Sequence, residues 1–311
     1  MNREELNKMQ TKILKKNKIC NYTLGILLLL ILFITLIIVI NKRITFVFII
    51  FIIFIEIIFG IAMMIIIKNI INGKDIKIFN KEYKNIYVLN FLKQNFENII
   101  YKPEEGISKK EIKKYNTLNL GDKFTSNDYI CGTYKNVKFE QSDIHIQEKY
   151  EEEDKDGNKI ITWETIFEGR YMIFDFNKNF KSNVQVISND FIKRSLPRIK
   201  NNKKVKLEDI EFNKMFKIYS EIEHDAFYIL TPHFMEKIKK LYKELDDPIK
   251  LTFMENKLHV AVNNGEDSFE YNVLNPINEE EIEQDIIKDI KLITDFVNEL
   301  NLDNNLFKKE A

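Results

Sequence analysis

Two apolar runs, Tyr22–Ile40 (YTLGILLLLILFITLIIVI) and Ile44–Ile67 (ITFVFIIFIIFIEIIFGIAMMIII), decide the fold of this 311-residue chain. The first run contains no charged residue, and the second contains one, Glu56. A helix rises about 1.5 Å per residue, so each run reaches roughly 28 Å or more and can cross a hydrocarbon core of about 30 Å. Only residues 41–43 separate the runs. The sequence therefore predicts two transmembrane helices that turn straight back as a hairpin.

The boundaries of these runs divide the chain into six predicted segments. In order they are a basic arm (1–21), transmembrane helix 1 (22–40), an external turn (41–43), transmembrane helix 2 (44–67), a helical connector (68–116) and a cytoplasmic α+β domain (117–311). The chain that follows the hairpin is long enough to bury a core of its own. We therefore expect a membrane anchor followed by a soluble domain.

Basic residues lie mainly at the outer ends of the two runs. Six occur within residues 1–20 and five within residues 68–84, against two in the turn. Because lysine and arginine concentrate on the cytoplasmic side of a membrane, both termini are expected in the cytoplasm and the turn outside. The sequence thus predicts a multi-pass protein of the plasma (inner) membrane, in contact with the lipid bilayer. The basic arm adds anionic lipid as a candidate partner.

The charge balance argues against one broad class of partner. Lysine plus arginine and aspartate plus glutamate both number 47, so the formal net charge is zero. A nucleic-acid-binding protein usually carries a basic excess, so no nucleic-acid partner is expected. The two cysteines, Cys20 and Cys131, are too few for a disulfide framework. Such a low number fits either a reducing compartment or one whose redox state does not matter to the fold.

From about Tyr129 onward the apolar residues recur with a period of two, which predicts half-buried antiparallel strands. A clear hairpin pattern joins Ile249–Phe253 to Leu258–Val262 across two polar residues. Helical patterns begin at Thr231 and Asn278, where a capping side chain precedes an apolar stripe. The fold class is therefore α+β: an N-terminal two-helix transmembrane hairpin followed by a soluble domain with an antiparallel sheet and flanking helices.

Four short motifs in the soluble part carry more specific information about protein family than its amino-acid composition does. They are an F-x-G strand ending at Gly169, an F-D-F-N-K turn at Phe174–Lys178, an E-F-x-x-x-F segment at Glu211–Phe216 and an L-T-P helix start at Leu230–Pro232. In this order, after a double membrane span, they resemble the bacterial family known as domain of unknown function 3137, over roughly residues 80 to 265. That family is uncharacterised. The resemblance implies architecture and membrane attachment, and no activity or cofactor.

Glu56 is the main candidate site within the apolar runs. It lies at the midpoint of the second run, where an ionised carboxylate costs about 2.5–3.5 kcal/mol on insertion scales. Folding the hairpin about Lys42 brings Glu56 beside Leu28. The same folding brings Gly25 to nearly the depth of Gly60, where small residues let helices approach closely. Two interpretations stay open: Glu56 contacts a partner or binds a proton in an oligomer, or it is protonated and hydrogen-bonded locally.

A weaker candidate is the polar cluster formed by Glu221, His224 and Asp225. On a helix these side chains would share a face and could hold a metal or act in acid–base chemistry. Neither a second histidine at i+4 nor a nucleophile motif accompanies them, which favours a solvated or capping cluster. His145 and His259 alternate with aliphatic neighbours on predicted strands. Both are therefore expected on the solvent-facing side of the sheet.

No metal site, cofactor or catalytic residue is predicted. Asp154–Asn158 begins like a calcium loop, with oxygen-bearing side chains at positions 1, 3 and 5. Lys159 and Thr165 stand where such a loop requires glycine and glutamate. Trp163 and the aromatic residues around it are interpreted as core side chains rather than as a stacking surface.

The leading hypothesis is a cytoplasmic binding or scaffold module tethered by the transmembrane hairpin, with a protein partner or a homo-oligomer as candidate assembly. A membrane-tethered, hydrolase-like enzyme that uses the His224 and Asp225 region is the first alternative. The second alternative is an oligomeric membrane assembly in which Glu56 takes part. Two helices alone form no pore, so this last hypothesis requires several copies of the chain.

Overall fold

The computed structural model describes residues 1–42, 46–153, 157, 159–176, 182–192, 195–196 and 202–302, without the side chains of residues 36, 38–42, 46–50, 52–53 and 64–72. The chain forms two compact units. Met1–Val88 and Glu270–Glu279 make up the first, and Leu89–Phe269 and Glu280–Ala311 make up the second.

Two long helices dominate the first unit: α1 (Arg3–Lys42) and α2 (Phe46–Tyr83), with a π-helical turn (Lys84–Val88) after the second. Within the described residues, one helical segment, Arg3–Thr35, is long and apolar enough to cross a membrane, and the shorter stretch Phe54–Met63 is also apolar. This N-terminal helix has the length and composition of a membrane anchor or a signal sequence.

Side chains are buried in the part of the first unit that lies farthest along α2 from the apolar stretches. Phe79 and Tyr83 are buried on α2, and the Tyr83 ring stacks on Tyr271 with centroids 4.8 Å apart. Lys84, itself buried, forms an ion pair with Glu270 at 2.6 Å. Residues 270–279 therefore belong to the helical unit through aromatic packing and a charged contact.

The second unit is built around a nine-stranded antiparallel sheet. Along the chain its strands are β1 (Glu97–Lys102), β2 (Lys123–Tyr134), β3 (Val137–Glu153), β4 (Lys159–Asp175), β5 (Val184–Ser188), β6 (Lys203–Val205), β7 (Phe216–Ser220), β8 (Ile249–Met254) and β9 (Lys257–Val262). Their order in the sheet is β1-β2-β3-β4-β9-β8-β5-β7-β6. The predicted α+β class with an antiparallel sheet is confirmed, including the hairpin that joins β8 to β9.

In the part of the chain that the structure describes, six α-helices accompany the sheet: α3 (Leu89–Asn95), α4 (Lys109–Tyr115), α5 (Ile210–Met215), α6 (Glu223–Ile229), α7 (Pro232–Leu245) and α8 (Glu279–Glu299). The predicted cap of α7 is confirmed, because the Thr231 side chain accepts a hydrogen bond from the Phe234 amide at 3.4 Å. Asp209 caps α5 in the same way through the Phe212 amide. These side chains satisfy free N–H groups of the first helical turn and thus set where the two helices begin.

Both faces of the sheet centre are covered. On one face Phe174 of β4 stacks on Phe296 of α8, with ring centroids 6.1 Å apart. On the other face Tyr171 and Ala261 pack in a buried cluster with side chains from residues 107–118. We call residues 107–118 the covering segment. The central strands are consequently buried on both sides.

The structure differs from the sequence interpretation at two places. The helical connector predicted over residues 68–116 is interrupted, because α3 ends at Asn95 and Glu97–Lys102 forms β1, which pairs with β2. Pairing with a neighbouring strand, a long-range interaction, outweighs the local helical pattern there. Trp163, interpreted as a core residue, is 49% exposed, because β3 and β4 continue beyond the other strands.

Candidate functional site

Three polar side chains form a row across the interior of the sheet. Gln185 on β5 lies opposite Thr252 on β8, and Thr252 lies opposite His259 on β9. Directly opposed residues on neighbouring strands point to the same face, with Cβ atoms about 4.5–5.5 Å apart. All three side chains are buried, with no more than 1% of their surface exposed. We call these three residues the polar row.

Four polar atoms of the row have no hydrogen-bond partner within the described chain. They are the amide nitrogen and oxygen of Gln185, Oγ1 of Thr252 and Nε2 of His259. Leaving a buried donor or acceptor unsatisfied costs about 1–3 kcal/mol. Most buried polar groups in native proteins are satisfied, so several at adjacent positions require an explanation. The row therefore presents donors and acceptors that a bound molecule could satisfy.

Tyr171 connects the row to the covering segment. Its hydroxyl oxygen lies 3.0 Å from His259 Nδ1 and 2.7 Å from Thr117 Oγ1. Lys250, the β8 residue two positions before Thr252, donates from Nζ to the Thr117 carbonyl oxygen at 2.5 Å. These contacts hold the covering segment over the row. The covering segment therefore shields this face of the row from solvent.

Burial shifts the pKa values of two ionisable groups of this site toward their neutral forms. It lowers the pKa of His259 to about 3, with nearby Lys257 and Lys114 acting in the same direction. It also lowers the pKa of Lys250 to about 7. A histidine with so low a pKa stays uncharged at neutral pH and is a poor proton acceptor. The site is therefore suited to hydrogen-bonding a ligand rather than to acid–base catalysis.

A second buried polar network lies on the opposite face of the sheet. Arg170 of β4 is 1% exposed, and its Nη2 forms an ion pair with Asp289 at 2.6 Å. Its Nε lies 3.4 Å from Asp143, which also accepts hydrogen bonds from the backbone and hydroxyl of Ser268. Because a cation and several donors compensate these carboxylates, the network has the character of a structural ion-pair cluster.

Asp143 also belongs to a group of three carboxylates. One oxygen from each of Asp128, Asp143 and Asp267 lies within 4.8 Å of the others. Asp128 accepts hydrogen bonds from Tyr101 and Asn127, and Asn127 also donates to Asp267 at 2.9 Å. Each carboxylate thus accepts at least one hydrogen bond from the protein.

The members of the predicted Glu221, His224 and Asp225 cluster differ in burial and in contacts. Glu221 and His224 are exposed. The Asp225 carboxylate accepts hydrogen bonds from the amide and the hydroxyl of Ser182, at 2.9 and 2.7 Å. Asp225 therefore links α6 to the residues before β5, and α6 itself begins without a side-chain cap hydrogen bond. Asp154–Asp156 and Asn158 of the calcium-like stretch lie outside the described residues.

In the first unit, the polar contact of Glu56 is with a different residue from the one that the sequence placed beside it. Thr35 donates from Oγ1 to Glu56 Oε2 at 3.3 Å. A Cβ added to Gly60 would overlap the Leu28 side chain, whereas one added to Gly25 meets nothing within 4 Å. Both contacts differ from those that folding the chain about Lys42 predicted, which placed Glu56 beside Leu28. Glu56 consequently has a local polar partner, and Gly60 is the glycine at the contact.

Sequence reasoning missed the polar row. His259 was expected on a solvent-facing side, and the structure buries it because the sheet is covered on both faces. A signal was present: Gln185, Thr252 and His259 each stand as single polar residues between aliphatic or aromatic neighbours. His145, the other strand histidine, is half-buried and lies 2.9 Å from the Thr165 hydroxyl.

Comparison with known proteins places part of the second unit in a family. Residues 165–302 match the family described as "Protein of unknown function (DUF3137)", which confirms the resemblance seen in the motifs. The F-x-G motif has a structural reason, because Gly169 has φ 147° and a Cβ there would overlap the Val262 carbonyl oxygen. No curated protein matches the chain.

One solved structure aligns with the chain at low similarity. It is the crystal structure of the mycobacterial trehalose monomycolate transport factor A, TtfA, at 10% sequence identity and a TM-score of 0.37. The alignment covers 72% of the present chain and 94% of TtfA. Similarity at this level supports no conclusion about function.

Proposed function

Because residues 165–302 belong to the DUF3137 family, whose activity is unknown, we propose a function from the chain's own geometry: a membrane-anchored binding module that takes a small polar ligand at the polar row. The observation that carries the proposal is the set of four unpartnered polar atoms on three neighbouring strands. A ligand with several hydrogen-bonding groups would satisfy them. The neutral state of His259 favours binding over catalysis.

The anchor in this proposal is a hairpin that spans the membrane twice, with both termini in the cytoplasm. Support comes from the apolar helix Arg3–Thr35 and the apolar stretch Phe54–Met63 in the neighbouring helix. Large side chains such as Phe33 and Phe59 are more than 60% exposed there, as lipid-facing residues would be. The Thr35 hydroxyl gives Glu56 a hydrogen bond, which lowers the cost of a carboxyl group in a bilayer.

Ligand binding at the row is expected to disappear when Gln185→Leu and Thr252→Val are combined. The double variant should also be more stable by about 1–3 kcal/mol, because it removes buried polar atoms that lack partners. Native mass spectrometry of the full-length protein, extracted in mild detergent, would detect the ligand, and denaturant unfolding would measure the stability. Thr125→Val on an exposed strand position is the matched control. A small molecule that remains on the double variant would contradict the proposed site.

The double-span topology is testable with single cysteines in a chain whose Cys20 and Cys131 are replaced by serine. Lys42→Cys in the turn is expected to react with a membrane-impermeant maleimide on intact cells. Lys123→Cys, in the sheet domain, should react only after the membrane is permeabilised. Labelling of Lys123→Cys on intact cells would overturn this topology. A mature chain that lacks its first helix would instead identify a signal sequence.

Glu56 is the proposed contact for assembly of several copies. Glu56→Gln keeps a hydrogen-bonding group, whereas Glu56→Leu removes it, so only the leucine variant should lose the oligomer. Thr35→Val removes the local hydrogen-bond donor and is the matched control for packing within one chain. Light scattering in detergent would give the copy number. An unchanged copy number in Glu56→Leu would leave Glu56 with a purely local role.

A further inference from the structure

A cavity of about 550 Å³ lies in the second unit beside the start of α7. Its lining comes from three segments: residues 207–209 before α5, Phe227 in α6, and positions within residues 230–236, where α6 ends and α7 begins. Ligand pockets in proteins typically enclose about 300–1,000 Å³. The cavity therefore has room for a small molecule. We call it the α7 cavity.

The α7 cavity is separate from the polar row. Phe234 of α7 packs edge-on against Phe253 of β8, with ring centroids 6.0 Å apart. Phe253 directly follows Thr252 of the polar row, and successive side chains of a strand point to opposite faces of the sheet. A molecule bound in the α7 cavity would therefore be a second ligand, on the other side of the sheet.

One part of the cavity wall is apolar. Leu230 and Met235 are buried, whereas Phe227 is 43% exposed. Pro232, which also belongs to the lining, is exposed at the start of α7. A partly exposed phenyl ring beside buried aliphatic side chains offers apolar surface that a ligand can remove from water.

The other part of the wall is acidic, because Glu208, Asp209 and Glu236 line the cavity. Lys239 Nζ lies 3.0 Å from Asp209 Oδ2 and 2.6 Å from Glu236 Oε1, so it holds both carboxylates in place. Hydrogen bonds from the Phe212 amide and from Lys239 lower the pKa of Asp209 below its ordinary value of 3.8. Asp209 is consequently ionised at neutral pH.

The lysines beside the wall carry less charge than the carboxylates. Lys239 also contacts Glu211 at 3.1 Å, so three carboxylates share one ammonium group. Lys243 pairs with Glu211, again at 3.1 Å. With the exposed Glu208, these named groups are four carboxylates and two ammonium groups. Their excess of negative charge favours a cationic ligand.

We propose that the α7 cavity binds a small amphiphilic amine, a molecule that joins a cationic nitrogen to an apolar body. The ammonium group meets the carboxylates of Glu208 and Glu236, and the apolar body lies against Phe227, Leu230 and Met235. Hydrogen bonds between an ammonium group and a carboxylate are stronger than those between neutral groups. This second binding site does not depend on the ligand proposed for the polar row.

Three other occupants fit this lining less well. An anion would be repelled by the carboxylates. A divalent metal ion such as Ca²⁺ prefers a shell of oxygen ligands, whereas Phe227, Leu230 and Met235 present carbon or sulfur. A neutral apolar molecule would displace water from the carboxylates without supplying a charge in return.

A fluorescent amine tests the proposal directly. The probe is dansyl cadaverine, whose dansyl group emits at shorter wavelength in apolar surroundings, and its N-acetylated form is the uncharged match. Both would be titrated into the full-length protein in phosphatidylcholine nanodiscs, with empty nanodiscs as the reference for uptake by lipid. We expect saturable binding of the amine that unlabelled hexylamine displaces. The acetylated probe should bind about fivefold more weakly, because it lacks the charge.

Two variants at exposed positions of the lining separate charge from apolar contact. Glu208→Gln should weaken the amine about fivefold and leave the acetylated probe unchanged. Phe227→Ala should weaken both probes about tenfold, because it removes apolar surface from the wall. Glu221→Gln and Ile222→Ala, at exposed positions outside the lining, are the matched controls and should leave both affinities unchanged.

Four results would overturn the proposal. The first is a signal no larger than that of empty nanodiscs, and the second is equal affinity for the two probes. The third is unchanged affinity in both Glu208→Gln and Phe227→Ala. The fourth is displacement by a lysine-rich peptide and not by hexylamine, which would assign the cavity to a protein partner. None of these results bears on the ligand of the polar row, which is tested by the Gln185 and Thr252 variants.

Discussion

Replacing Arg170 by methionine is expected to lower the free energy of unfolding by about 3–5 kcal/mol, because it removes the cation from a buried ion-pair network. Arg170 and Asp143 are almost fully buried. The guanidinium group pairs with both Asp143 and Asp289, and it also donates to the Asp289 carbonyl oxygen. The variant would leave two carboxylates without their cation. Denaturant unfolding of the full-length protein in detergent would measure the loss.

The loss in Arg170→Met should grow as the pH rises. Burial raises the pKa of Asp143 to about 7, although the charge of Arg170 opposes this effect. A carboxyl group whose folded-state pKa lies above its unfolded value of 3.8 loses stability as the pH rises through the folded-state pKa. Without Arg170 the folded state disfavours the ionised form even more. Arg170→Met should therefore lower the free energy of unfolding more at pH 8 than at pH 5.

Lys288→Met provides the matched control for the arginine variant. Lys288 forms an ion pair with Glu266 at 2.9 Å, and both side chains are well exposed. Surface pairs of this kind contribute only about 0–1 kcal/mol. A loss in Arg170→Met no larger than in the control would show that the buried network does not stabilise the fold.

Replacing Lys250 by methionine is expected to stabilise the protein by about 1–4 kcal/mol at neutral pH, as exchanging buried charges for apolar groups of similar size can do. The side chain is 1% exposed, and its one described partner is the Thr117 carbonyl oxygen. Removing that donor leaves the carbonyl unsatisfied, which offsets part of the gain. Denaturant unfolding followed by near-ultraviolet circular dichroism would measure the net change.

The pH dependence gives Lys250 a distinct signature. Burial lowers its pKa from 10.5 to about 7, so between these values the unfolded state holds a proton that the folded state has lost. The free energy of unfolding of the natural protein should therefore rise with pH in this window, by up to about 1.4 kcal/mol per pH unit. The rise should be absent in Lys250→Met.

Lys203→Met, at an exposed position of β6, is the control for loss of a lysine. It should retain the natural pH dependence between pH 7 and 9. If Lys250→Met showed the same rise in stability with pH as the natural chain, Lys250 would not be the group that titrates, and its burial would have to be compensated by a further contact.

Local sequence patterns were sufficient to predict the parts of the fold that depend on residues close together in the chain. The β8–β9 hairpin and the start of α7 after Thr231 are encoded within a few residues of each other, because strand alternation and helix capping are short-range effects. The helical connector predicted over residues 68–116 was wrong at Glu97–Lys102 for the opposite reason. There, pairing of Glu97–Lys102 with β2 is a long-range interaction.

The sequence by itself determined that this chain has an apolar N-terminal helix of membrane-spanning length and an antiparallel α+β domain. Only the tertiary structure decided which polar residues are buried. His259 joins Thr252 and Gln185 in a closed row because the covering segment lies over that face of the sheet. Arg170 meets Asp289 because α8 packs on the other face. Burial depends on segments far apart in the chain, whereas periodicity and capping depend on neighbours.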